Sequence, residues 1–235
     1  MIKKSYLKGS KSPFDLFRSV AFKYKFKKEN PDYFDPSGTI IFCGSQGQGK
    51  TISAVQYVTA LANAYPKSWL CTNVDISRDM FPEDYHIIEY DGLETLKNLS
   101  NGYYGVIYLI DEIHLELNSL ESQNIDVDIM TEISQQRKQR KHIVGTSQVY
   151  MRMAKPLREQ TKNIVLCKNW FGLFQHNKLI DGELSTEKDG KLEAKTIGHY
   201  FWFHSPKLYR CYDTFAKMKR YNEQWKGRKR VLINE

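Results

Sequence analysis

The residues most capable of chemistry are Gly44-Ser45-Gln46-Gly47-Gln48-Gly49-Lys50-Thr51, and an acid pair, Asp111-Glu112, some 60 positions later. The first segment has the spacing of a phosphate-binding loop. Its glycines let the backbone wrap so that successive N–H groups converge on an anion, and the helix that follows adds favourable potential at its N-terminus. Lys50 can reach the β- and γ-phosphates of ATP, and the Thr51 hydroxyl can ligate Mg²⁺. Asp111 is expected to hold the same metal ion, usually through water, and Glu112 to orient or deprotonate the attacking water. Hydrolysis is thereby favoured over phosphoryl transfer to a bound acceptor, which tends to exclude water. A glycine-rich turn without a ligand, or an acid pair serving as a helix cap, are the structural alternatives.

Two further groups belong to this expectation. His142-Ile-Val-Gly-Thr146-Ser147-Gln148 ends a strand in polar residues, and Gln148 can contact the γ-phosphate or its water, with Thr146 and Ser147 behind it; a plain polar loop is the alternative. Arg137 and Arg140 are three apart, as on one helical face, and Arg158 follows later. Each could serve across a subunit boundary to stabilise transition-state charge. Each could equally be a solvated or DNA-facing cation.

The elements that must position these groups can be read from pattern. Strands are expected at 39–43, 69–72, 86–90, 106–110, 142–145 and 163–167. Helices are expected at about 50–64, 92–99, 127–140 and 213–225. Several strands are apolar at successive positions, as when both sheet faces are covered. The alternation predicts an α/β fold with a mostly parallel sheet flanked by helices. An apolar strand ending in an acid carries that acid to the C-terminal sheet edge, beside the phosphate loop. Four segments are expected: a basic N-terminal arm at 1–38, a core at 39–169, a projecting antiparallel hairpin at 170–204, and a basic, aromatic C-terminal segment at 205–235 packing on the core.

Charge is uneven. The chain of 235 residues carries a net charge of +8. Residues 1–28 hold nine Lys or Arg against Asp15, residues 135–162 eight against Glu159, and residues 207–230 nine against Asp213 and Glu223. Such clustering points to a polyanion, nucleic acid first, with solvated surface or lipid headgroups as alternatives. Cys43, Cys71, Cys167 and Cys211 show no metal-ligand spacing and fit a reducing compartment. No apolar run is long enough to span a membrane and no signal peptide is evident, so a soluble, intracellular protein is expected.

These motifs resemble the FtsK/HerA superfamily of P-loop motors, especially the genome-packaging ATPases of membrane-containing phages, and the zonula-occludens-toxin-like ATPases of filamentous phages. The matching residues are 44–51, Thr72-Asn73-Val74-Asp75, Leu109-Ile-Asp-Glu112, the Arg-bearing helix, Gly145-Thr-Ser-Gln148 and Leu157-Arg158-Glu-Gln160 leading into Asn163-Ile-Val-Leu166. They span about residues 38–168. The resemblance implies a RecA-like core, a homo-oligomeric, hexameric ring, ATP and Mg²⁺ between subunits, and duplex DNA driven through the middle without sequence preference. It maps the family's P-loop Lys and Thr to Lys50 and Thr51, its acid pair to Asp111 and Glu112, and its strand-end Gln to Gln148. A capsid-vertex or membrane-protein partner, in the host cytoplasm or the virion, would follow. The toxin-like proteins carry a membrane span that this chain lacks, which favours packaging over extrusion. Two other readings fit the ATP site: an assembly or secretion ATPase acting on protein at a membrane, with Lys3, Lys4 and Lys23–Lys28 as a lipid- or partner-docking segment, and a nucleotide switch that barely turns over, which Glu112 opposes.

Overall fold

The computed structural model describes residues 12–115, 131, 133–183, 186–188 and 191–212. It divides into two units, residues 1–33 and 34–235. The described part of the first is one helix, α1 (Pro13–Glu29). Pro13 sits at the helix start, where its missing N–H costs nothing, and the Asn30 side chain and backbone both donate to Phe26 O at 2.9 Å to close the last turn. Within the expected basic arm, this helix is a feature that charge counting does not reveal.

The second unit is built on β1 (Gly38–Cys43), α2 (Lys50–Ala64), β2 (Trp69–Thr72), β3 (Ile87–Glu89), α3 (Leu93–Asn98), β4 (Val106–Ile110), β5 (Lys141–Ser147), α4 (Lys155–Glu159), β6 (Thr161–Trp170), β7 (Phe174–Asp181), β8 (Thr186–Lys188), β9 (Lys191–Glu193), β10 (Thr196–Phe203) and α5 (Pro206–Cys211). Eight strands form one sheet in the order β10-β7-β6-β1-β5-β4-β2-β3. Six of them, β6 through β3, run parallel, and β7 and β10 add antiparallel strands at one edge.

Successive residues of the central strands enter different cores. Ile40 and Phe42 pack with Val55 and Val58 of α2, while Ile41 and Cys43 pack on the other face with Met153 and Leu157. That two-sided burial is why these strands read as continuous apolar runs. Buried polar groups are tied to backbone ends. Lys141 Nζ donates to Leu96 O at 2.6 Å and so neutralises the C-terminal carbonyls of α3. All four cysteines are free and buried. Burial raises the thiols of Cys71 and Cys167 to about 12, which leaves them protonated and unreactive.

Two expectations are corrected. The strands within 170–204 do pair antiparallel, but they do not project from the core. β6 runs on to Trp170 and pairs with β7 from Asn163↔Asp181 to Trp170↔Phe174, so the pair widens the main sheet. Phe171 and Gly172, with φ of 57° and 73°, form the left-handed turn that a tight hairpin requires. The small pair β8–β9 forms the polar tip instead. Second, Arg137 and Arg140 do not share a helical face. Helix persists only to residue 135, and 136–140 are turn, with Arg140 left-handed at φ 54°. The expected helix at 213–225 lies outside the described residues, as does the stretch 127–130. Among the described residues no helix is long and apolar enough to cross a membrane.

One buried group gives the fold a pH dependence. His142 donates through Nδ1 to Gly38 O at 2.8 Å and accepts from Tyr57 Oη at 3.0 Å. Burial, above all, lowers its pKa to about 4. The unfolded chain therefore binds this proton more readily than the folded one. The stability contributed by neutral His142 is complete above about pH 6.5 and is lost as pH falls towards about 4. Urea unfolding at pH 7 and pH 5 should show the drop, and His142→Gln should flatten that part of the profile.

Candidate active site

The parallel strands deliver all the chemically relevant loops to one edge, at their C-terminal ends. β1 ends at Cys43, and residues 44–49 wrap from it into α2. Gly49, the residue before α2, has φ 76°, a conformation suited to glycine, and makes no side-chain cap. The first-turn N–H groups of this 15-residue helix are thus left to an anionic ligand. Lys50 is buried, and its Nζ donates to Ser45 O at 3.3 Å. A buried ammonium needs an anion to offset its lost hydration, and a triphosphate lying along this loop supplies one.

β4 carries Asp111 to the same edge. Ile110 pairs with Gly145, which brings Asp111 beside Thr146 of β5. Asp111 Oδ1 accepts from Thr51 Oγ1 at 2.9 Å and from Thr146 Oγ1 at 2.5 Å. Its backbone is clamped by Asn73, at the end of β2, which accepts from Asp111 N at 2.8 Å and donates to Asp111 O at 3.2 Å. Thr51 and Asp111 form a pair of hard oxygen donors facing the phosphate loop. That set fits Mg²⁺, which takes few protein ligands and completes its shell with water and phosphate oxygens.

Glu112 is held differently. Its φ is 52°, uncommon for a residue with a side chain and costly by about 1 kcal/mol. The strain is maintained by Thr146, whose hydroxyl accepts from Glu112 N at 2.8 Å while donating to Asp111. Gln148 Nε2 approaches Glu112 Oε1 at 3.4 Å, and His114 Nδ1 stands 3.3 Å from Oε2 and 3.3 Å from Ser147 Oγ. The His114 contact is an ion-pair distance without hydrogen-bond alignment, so Oε2 is buried with no hydrogen bond. A carboxylate so placed beside a phosphate cradle is suited to activating water for attack on phosphorus.

The structure thus brings Lys50, Thr51, Asp111, Glu112 and Gln148 together. The three arginines lie elsewhere. Arg137 and Arg140 precede β5, and Arg158 precedes β6, at the N-terminal edge of the sheet, about one strand length (~16 Å) from the phosphate loop of the same chain. Arg140 lies over the Tyr103 ring at 5.0 Å, and Arg158 Nη1 contacts Met151 Sδ at 3.5 Å. Sequence reasoning assigns no role to His114, Asn169 or Gln175, and names Asn73 only within the matching run 72–75. Asn169 N donates to Gln48 Oε1 at 3.2 Å, and Gln175 contacts the loop from β7. Polar residues at alternate positions of a strand, Gln175 and Asn177, are the available signal.

Fold and site together have the architecture of RecA-like P-loop NTPases. The genome packaging NTPase B204 of Sulfolobus turreted icosahedral virus 2, solved in complex with ATP-γ-S, superposes with a TM-score of 0.51 at 13% identity, over 68% of this chain and 96% of that one. The same NTPase in complex with AMPPCP gives 0.50 at 11% identity, over 68% and 97%. The N-terminal domain of zonular occludens toxin from Neisseria meningitidis gives 0.49 at 12% identity, over 76% and 100%. No protein-family model and no curated protein sequence matches this chain. At these identities the likeness concerns the fold, and the chemistry rests on the site.

Thr146→Val keeps the shape of the Thr146 side chain but strands the buried Glu112 N–H. It should lower stability by about 1–3 kcal/mol and reduce turnover as Glu112 leaves its left-handed conformation. Thermal melts and steady-state hydrolysis measure the two effects.

Proposed function

We propose that this chain hydrolyses ATP with Mg²⁺ and couples the cycle to movement of DNA, as a homo-oligomeric genome-packaging motor. The observation that carries the hydrolytic part is the Glu112 carboxylate, held in a strained conformation beside the Thr51–Asp111 oxygen pair, with Gln148 Nε2 3.4 Å from its Oε1. Gly44, Ser45, Gln46, Gly47, Gln48 and Gly49 cradle the phosphates, and Lys50 neutralises their charge. Bound Mg²⁺ would polarise the terminal phosphate. Glu112 accepts the proton of the attacking water, and Gln148 helps orient it.

The DNA part is supported by the three basic segments and by the fold shared with a packaging NTPase. Non-specific phosphate contacts suit a motor that must grip any sequence. The position of Arg137, Arg140 and Arg158, a strand length from their own phosphate loop, supports a role for one of them at a neighbouring subunit's site. A ring places ATP between such neighbours. A capsid-vertex or membrane-protein partner would anchor it.

Steady-state hydrolysis with and without duplex DNA tests this reading. Turnover should rise with DNA, vanish in Lys50→Ala, and fall by about 10²–10⁴ in Glu112→Gln with nucleotide binding retained. Turnover that ignores DNA would point instead to an assembly ATPase acting on a protein at a membrane. Mixing Lys50→Ala with alanine variants of the three arginines, one at a time, identifies the trans group. Each inactive pair whose mixture regains activity places the arginine in a different subunit from the Lys50 it serves.

A further inference from the structure

Gln175 is fully buried on β7 and takes no part in the phosphate chemistry described above. It nevertheless touches two consecutive residues of the phosphate loop. Its Nε2 donates to Gln48 O at 3.0 Å, and a Cβ added to Gly49 would collide with its Oε1. Glycine is thus required at 49 for its backbone conformation and for this close approach.

The orientation of the amide is fixed by its neighbours. The second Nε2 hydrogen goes to Asn177 Oδ1 at 2.9 Å, and Asn177 Oδ1 also accepts from Ser53 Oγ of α2 at 3.4 Å. With both hydrogens committed to acceptors, Oε1 must face a donor. His204 Nε2 stands 3.2 Å from Oε1. His204 Nδ1 in turn lies 2.5 Å from Tyr209 Oη and 3.1 Å from Gly172 O in the β6–β7 turn.

A planar trans peptide points its C=O and N–H in opposite directions. Pulling the Gln48 carbonyl back towards β7 therefore turns the Gly49 N–H forward, into the cradle where an anion is bound. We propose that Gln175 is a positioning residue which, oriented by Asn177 and packed beside His204, holds the Gln48–Gly49 peptide in its phosphate-accepting orientation. The antiparallel edge strands thereby control nucleotide affinity. This rests on the reading that residues 44–51 bind a nucleotide.

The test is isothermal titration with ADP, together with steady-state ATP hydrolysis, on wild type, Gln175→Glu, Gln175→Leu and His204→Ala. Gln175→Glu keeps the size of the side chain but sets an acceptor against Gln48 O. It should weaken ADP about tenfold or more and raise KM similarly, with kcat at saturating ATP within about twofold of wild type. His204→Ala should weaken ADP by a smaller factor. Thermal melts confirm that each protein is folded, and the Glu and His204 variants carry the test if Gln175→Leu is not. Unchanged ADP affinity in folded Gln175→Glu, or a fall in kcat with KM unchanged, overturns the proposal. A wild-type protein that binds no ADP overturns the nucleotide reading itself, and this proposal with it.

Discussion

The Asp111 carboxylate accepts from Thr51 at the start of α2 and from Thr146 on β5, while Asn73 at the end of β2 grips its backbone from both sides. Four segments distant in sequence meet at this one residue. A buried carboxylate without partners would be too costly to keep, so the arrangement holds only while all of them are in place. The rest of the site inherits its geometry from that constraint. Thr146 can hold Glu112 in its strained conformation because it is already anchored on Asp111. Thr51 faces the phosphate loop because its hydroxyl is drawn towards the same oxygen.

The sheet makes the meeting possible. Six parallel strands present their C-terminal ends together, with β1, β4 and β5 adjacent or next to adjacent. Helix α2 covers one face and α4 contributes to the other, so the strands are fixed by apolar contacts on both sides before any polar group is placed. The antiparallel strands β7 and β10 extend this frame behind the phosphate loop, where Asn169 and Gln175 reach Gln48.

Much of this is legible in the sequence because the signals are local. The glycine spacing of 44–51, the apolar run ending in Asp111-Glu112 and the two-faced strands each sit within a few residues. What escapes depends on contacts between distant residues. Asn73 matters through Asp111, 38 positions on, and Gln175 through Gln48, 127 positions back. Neither distance leaves a mark in composition. The hairpin that does not project has a related cause: antiparallel pairing can be read from two β-rich stretches, but not that β6 continues far enough to bind them into the main sheet. Helix α1 is hidden by its charge, although Ser12-Pro13 and Asn30-Pro31 bracket it with start and stop signals. Arg137 and Arg140 have helical spacing, and the left-handed Arg140 shows that spacing alone does not make a helix.

The central claim is that Asp111 and Thr51 form a metal-assisted triphosphate site. Isothermal titration of ATP, with magnesium and with EDTA, on wild type and Asp111→Asn addresses it most directly. The account predicts that magnesium strengthens ATP binding to wild type and that Asp111→Asn loses most of this gain while still binding metal-free nucleotide. Equal magnesium dependence in the two folded proteins, or none in wild type, would contradict it.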